Sequence, residues 1–193
     1  MTSDYKKTLI LGGMRSGKSR YALTLAQNKQ GLKIFLATAE ALDEGMRDRI
    51  AKHQQERAAE FLTVEEPLYL ARALRNLPPA PGVILIDCLT LWINNLLFYF
   101  PQDPQSIARE RVDFFSALKD LRSDVILVSN EIGWGVLSEN KLARNFVDEL
   151  GRLNQEIAQV CDEVILMVSG LPQYIKQTIP QTTTKATADY VNS

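Results

Sequence analysis

The chain has 193 residues, 46% hydrophobic and 23% charged, which suits one α/β domain with a sizeable buried core. It carries 22 basic against 23 acidic side chains, a net charge of −1. That balance offers no long-range attraction to nucleic acid or an anionic membrane, so a small-molecule partner is expected.

In chain order, "TLILG" (8–12) reads as a strand and "GKSRYALTLAQN" as a helix, followed by a strand "KIFLAT" (33–38). A charged helical stretch covers about 43–59. Next come a short strand "FLTVEE", a helix "PLYLARALRNL" starting on Pro67, and, after "PPAPG", the apolar strand "VILIDC" (83–88). Two helical stretches split by "PQDPQ" lead to "DVILVSN" (124–130), a Gly/Trp loop, a long helix over 138–160 and "EVILMVSG". Apolar strands alternating with helices predict an α/β fold, a mainly parallel sheet covered on both faces. The polar, threonine-rich tail is read as an edge strand or as loosely ordered chain, which divides the sequence into a domain at 1–172 and a tail at 173–193.

Cys88 and Cys161 sit in or beside apolar runs without metal-ligand spacing and are read as buried, reduced thiols. No apolar segment of signal-peptide length follows "MTSDYKK". The longest apolar stretch, "LTLWINNLLFYF", is broken by Asn94 and Asn95 and too short for a bilayer. A cytoplasmic protein with no membrane insertion is expected.

The chemistry begins with Gly12-Gly13-Met14-Arg15-Ser16-Gly17-Lys18-Ser19, a match to G-x-x-x-x-G-K-[ST] between a strand and a helix. Glycines let backbone N–H groups point at phosphate oxygens, and the helix N-terminus adds its dipole. Lys18 would reach the β- and γ-phosphates and the Ser19 hydroxyl would ligate Mg²⁺. Arg15 is either one more cation near the phosphates or a solvated surface arginine. Asp87, closing "VILID", has the position of a metal-holding acid, against the alternative of a helix cap. Asn130 and Glu131 follow another apolar strand, where ligands of α/β sheets sit, although loop chemistry alone would also explain them.

His53 is the one histidine. On a helix, Arg49, His53 and Arg57 form an i, i+4, i+8 row on the side of Leu42, Met46 and Ile50, away from Glu44, Asp48 and Gln55. Cations and partial burial both disfavour imidazolium, so His53 is expected to be neutral near pH 7 and able to act as a nucleophile. A structural histidine remains the alternative.

Taken together, "GG-x-RSGKS", "ATAEALDEGMRDRIAKHQQER", "LIDCLTLWINNLL", "VSNEIGWGVLSENKLARNF" and "GRLNQ" give the chain a resemblance to the bifunctional adenosylcobinamide kinase / adenosylcobinamide-phosphate guanylyltransferase family of cobalamin biosynthesis. The resemblance implies phosphorylation of adenosylcobinamide with ATP or GTP, then transfer of GMP from GTP to adenosylcobinamide phosphate through a guanylyl-histidine at His53. It also implies nucleotide contacts from Thr38, Ala39 and Glu40, from Gln54, Gln55, Glu56 and Arg57 beside the transferred GMP, and from Glu65 and Asp87. A RecA-like P-loop fold and a homotrimer are implied too. Two rivals are a P-loop small-molecule kinase without guanylyltransferase activity, and a nucleotide-binding regulatory module with negligible turnover.

Overall fold

The computed structural model describes residues 5–40, 60–135 and 138–177. The expected helix over 43–59 lies outside them. Seven strands form one sheet in the order β3-β2-β4-β5-β1-β6-β7. They are β1 (Lys7–Gly12), β2 (Lys33–Ala37), β3 (Phe61–Glu65), β4 (Val83–Asp87), β5 (Asp124–Val128), β6 (Glu163–Val168) and β7 (Leu171–Gln177). All pairings are parallel except β6 with β7.

The strands are apolar on consecutive positions because both sheet faces are covered. Ile10, Phe35, Val83, Leu85, Ile126, Val128 and Ile165 pack with Ala22 and Ala26 of α1 (Lys18–Gln27). The alternate positions, among them Leu9, Ile34, Leu36, Ile84, Ile86 and Leu127, build a larger core. That core is closed by α2 (Leu70–Arg75), α3 (Leu89–Tyr99), α4 (Pro104–Asp120) and α5 (Lys141–Val160). At its centre the rings of Trp92 and Phe114 stack with centroids 4.9 Å apart. The Trp92 Nε1 donates to the Leu68 carbonyl at 2.8 Å, so the buried indole leaves no polar atom unpaired.

Two expectations shift in detail and a third holds. The helix expected from Pro67 begins at Leu70, because the Glu66 carboxylate accepts from the Leu68 and Tyr69 amides and holds a turn there. Burial raises the Glu66 pKa, but these amides and Arg72 outweigh it and leave it lowered. The helix expected from 138 starts at Lys141, where Asn140 Oδ1 accepts from the Leu142 and Ala143 amides. "PQDPQ" separates α3 from α4 as expected, with Asp103 capping the Ser106 amide and Pro104 in the first turn.

The open question about the tail is answered as far as Gln177. Residues 171–177 form an antiparallel edge strand, so the division drawn at 172/173 falls inside β7, and 178–193 lie outside the described residues. Tyr174 hydroxyl on β7 meets Tyr21 hydroxyl on α1 at 3.0 Å. Burial, followed by this bond, raises Tyr21 to about 12.

Gly82 enters β4 where the chain passes against Gln30 and Gly31, and its amide donates to the Leu32 carbonyl at 2.8 Å. A Cβ there would be driven into the Gln30 carbonyl. Gly82→Ala is therefore expected to cost about 1–3 kcal/mol in urea unfolding. A midpoint equal to wild type would mean that the 28–32 turn can retreat.

Candidate active site

Parallel register sets four strand ends level. Ile10 pairs with Val128, Val128 with Asp87, and Asp87 with Ala37. The segments that follow, carrying Gly12, Thr38, Cys88 and Ser129, therefore emerge along one edge of the sheet, the carboxyl edge where α/β proteins bind ligands. The strand carrying Asp87 is separated from β1 by β5 alone, an arrangement in keeping with a RecA-like P-loop fold.

The phosphate loop leaves β1 at Gly12 (φ 156°), where a Cβ would lie 2.5 Å from Ser16 Oγ and 2.7 Å from the Met167 carbonyl. Arg15 and Gly17 adopt φ of 57° and 93°, turning the chain into α1. The loop is fastened from outside. Gly170 donates to the Ser16 carbonyl at 2.9 Å and Glu131 to the Gly12 carbonyl at 3.1 Å. Lys18 is buried, with Nζ donating to the Gly13 carbonyl at 3.0 Å, which keeps its charge inside the loop. The Ser16 hydroxyl is buried and has no hydrogen-bond partner among the described residues. A hydroxyl kept so is costly unless a ligand oxygen takes it. Met14 and Arg15 are exposed on the loop's crest.

Asp87 alternates with Val83 and Leu85, so its side chain faces the α1 side of the sheet. Ser19 stands in the first turn of α1. These two oxygen donors suit Mg²⁺, which takes one or two protein oxygens and completes its shell with water and substrate phosphates. No group of three or more His, Cys, Asp or Glu side chains fit to hold a metal ion occurs among the described residues.

Thr38, from which a nucleotide contact is expected, also bonds the neighbouring strand end. It has no exposed surface, and its hydroxyl donates to the Cys88 carbonyl and accepts from the Cys88 amide, both at 2.8 Å. It ties the ends of β2 and β4 together. Ala39 and Glu40 follow, half-buried, with Glu40 accepting from the Tyr99 hydroxyl at 3.1 Å. Glu65 pairs in register with Ala37 and is exposed at the end of β3. Four strand spacings separate β3 from β1, about 19 Å. Loop and Glu65 thus share one edge of the sheet. His53, Gln54, Gln55, Glu56 and Arg57 lie outside the described residues.

Sequence reasoning passed over three side chains that position this edge. Asn95 Nδ2, buried in α3, donates to the Thr38 and Pro67 carbonyls at 2.9 and 3.1 Å. Thr90 Oγ1 accepts from the Asn130 amide at 2.7 Å, and Asn154 Nδ2 donates to the Asn130 carbonyl at 3.0 Å. The signal was present for Asn95, one of the few polar residues in a mainly apolar helix. Of the two thiols expected to be buried, Cys161 is buried and Cys88 half-buried. Burial, then Asp87, pushes Cys88 up to about 12 against weaker pulls from the Leu91 amide, Lys18 and Thr90, and burial with Asp162 does the same for Cys161.

A family model described as cobinamide kinase / cobinamide phosphate guanyltransferase matches residues 8–175. The chain is 47% identical over 171 residues to the bifunctional adenosylcobalamin biosynthesis protein CobP of Pseudomonas aeruginosa, covering 88% of this chain and 97% of the relative. It is 36% identical over 179 residues to the bifunctional adenosylcobalamin biosynthesis protein CobU of Escherichia coli, and 37% to that of Salmonella typhimurium, each alignment covering 87% of this chain and 98% of the relative.

Two outcomes test the geometry. Gly12→Ala forces the loop open, so calorimetric titration should show GTP affinity reduced by about tenfold or more, roughly 1.4 kcal/mol. Affinity within twofold of wild type would contradict the tight turn. At about pH 8 the folded protein should resist iodoacetamide at both cysteines and label fully once denatured. Because unfolding returns the thiols from about 12 toward 9.0, stability should fall as pH rises through that window.

Proposed function

The chain belongs to the cobinamide kinase / cobinamide phosphate guanyltransferase family, and on that premise we propose that it carries out two successive transfers on adenosylcobinamide. In the first, the aminopropanol hydroxyl attacks the γ-phosphorus of ATP or GTP. An O–P bond forms, the nucleoside diphosphate leaves and the hydroxyl proton is released. In the second, a ring nitrogen of His53 attacks the α-phosphorus of GTP and expels pyrophosphate. An oxygen of adenosylcobinamide phosphate then attacks the same phosphorus, the N–P bond breaks, and adenosylcobinamide-GDP departs with His53 restored.

The observation that carries this reading is the fastened phosphate loop, with Lys18 held inside it and the Ser16 hydroxyl left for a ligand. Backbone amides of Gly13 to Ser19 cradle the phosphates in the proposal, and Lys18 stabilises charge on the transferred group. Ser19 and Asp87 would hold Mg²⁺, which when bound neutralises charge on the phosphate oxygens. Ala39, Glu40 and Glu65 are proposed to meet the nucleoside, Glu65 by accepting guanine N–H groups. Gln54, Gln55, Glu56 and Arg57 are proposed to surround the transferred GMP. Since the loop and Glu65 stand about 19 Å apart, presenting the γ- and the α-phosphate to different acceptors calls for two nucleotide poses or a rearrangement.

The protein is placed in the cytoplasm, a setting that its two free cysteines fit. No helix among the described residues is long and apolar enough to cross a membrane. A homotrimer is proposed from the family resemblance, and exposed Phe98 and Val112 on α3 and α4 offer apolar surface for it.

Incubation with Mg²⁺ and α-phosphate-labelled GTP, then denaturation, tests the covalent step. Wild type should retain label that is lost in acid but not in alkali, and His53→Ala should retain none. A wild-type enzyme that phosphorylates adenosylcobinamide yet carries no label would leave a kinase alone. One that binds GTP and transfers nothing would leave a nucleotide-binding module.

A further inference from the structure

Beside the phosphate loop, a groove of about 300 Å³ runs between the segment after β5 and α5. Asn130, Glu131 and Gly133 form one wall, and Val147, Gly151 and Asn154 the other. We propose that this groove is the acceptor site, which binds an amide-bearing arm of the corrinoid substrate and directs its reactive end toward the phosphate loop. The assignment rests on the proposed function for the identity of the acceptor, and on three observations for its place.

The first is Asn130. Its amide donates to Thr90 Oγ1 at 2.7 Å, and its carbonyl accepts from Asn154 Nδ2 at 3.0 Å. Asn154 is itself oriented by Ser129, whose hydroxyl donates to Asn154 Oδ1 at 2.7 Å. The main chain of Asn130 is thus fixed from both sides, yet its side-chain Oδ1 is buried with no hydrogen-bond partner among the described residues. Asn130 lines the groove, and a turn of its side chain about the fixed main chain would bring this unpaired oxygen to a ligand N–H or O–H. Corrinoids carry carboxamide groups around their periphery and an amide-linked aminopropanol arm, which supply such donors.

The second is Gly151, in the interior of the 20-residue helix α5. Glycine is costly there relative to alanine, and a Cβ at this position would meet nothing within 4 Å. Packing does not require the glycine, and its lack of a side chain leaves the groove open. The third is location. The Glu131 amide donates to the Gly12 carbonyl at 3.1 Å, so the groove's wall is bonded directly to the phosphate loop. A volume of about 300 Å³ takes an arm and not a macrocycle. The ring would rest outside, next to Trp134, whose exposed indole follows Gly133 in the same loop.

Calorimetric titration of the full-length protein with adenosylcobinamide, and separately with GTP, tests the site in wild type, Gly151→Phe and Asn130→Ala. Filling the groove with Phe should weaken adenosylcobinamide binding at least about tenfold and leave GTP affinity within about twofold. Asn130→Ala removes only an unpaired amide, so it should keep the wild-type melting temperature while weakening adenosylcobinamide several-fold. Adenosylcobinamide affinity equal to wild type in both variants would overturn the assignment. So would a selective loss of GTP binding, which would make the groove a nucleotide seat. If wild type itself fails to bind adenosylcobinamide, the functional reading falls and takes the acceptor with it.

Discussion

The parallel register of β2, β4, β5 and β1 is the constraint on which the site depends. It levels Ala37, Asp87, Val128 and Ile10, so the segments carrying chemistry leave the sheet together. A slip of one residue in β4 would turn Asp87 from the α1 face to the opposite core and bury a carboxylate among leucines and isoleucines. The charge of Asp87 opposes that slip, since "VILI", apolar at every position, fits either register. A polar group that contributes little to the core itself thereby helps to fix the register of the strand.

Polar side chains then hold the emerging segments against one another. Thr38 bonds to both main-chain groups of Cys88, and Asn95 takes the Thr38 carbonyl. Thr90 and Asn154 hold Asn130 in the same manner, and Ser129 sets Asn154. Each bond adds only about 0.5–1.5 kcal/mol net, whereas a buried group left unpaired costs about 1–3 kcal/mol. The network therefore specifies one arrangement of the strand ends more strongly than it stabilises the fold. Against that background of satisfied groups, the Ser16 hydroxyl and Asn130 Oδ1 stand out as the buried side-chain atoms without partners among the described residues.

The legible parts of the sequence were those with local causes. The phosphate loop was readable because glycine positions and a following lysine express a single turn, and the strands because apolar runs of five or six residues bounded by turns have few other solutions. Helix starts were less legible. Pro67 is a good first residue for a helix, but the Glu66 side chain captured the next amides and moved the start to Leu70. The family resemblance implies a nucleotide contact from Thr38, and only the pairing of β2 with β4 reveals that its hydroxyl also bonds Cys88. Asn154 could not be read at all, since its meaning comes from Ser129 and Asn130, 25 and 24 residues away in sequence.

The fastening of the phosphate loop bears on how one small domain can present phosphates to two acceptors. On one side the turn between β6 and β7 holds the Ser16 carbonyl, and β7 reaches α1 through the two tyrosine hydroxyls. On the other side the segment after β5 holds the Gly12 carbonyl. A loop clamped at both ends and begun by a glycine that admits no side chain has little freedom to follow its ligand. Whatever moves between the two transfers is then the nucleotide or the acceptor, with the loop as their fixed reference. The edge from β1 to Glu65 provides length along which a nucleotide could shift, and the groove at Asn130 provides a separate approach between α5 and the segment after β5. A groove of its own for the acceptor, bonded to the loop through Glu131, allows either phosphate to be offered without displacing the acceptor, which is the geometric condition two reactions at one loop must meet.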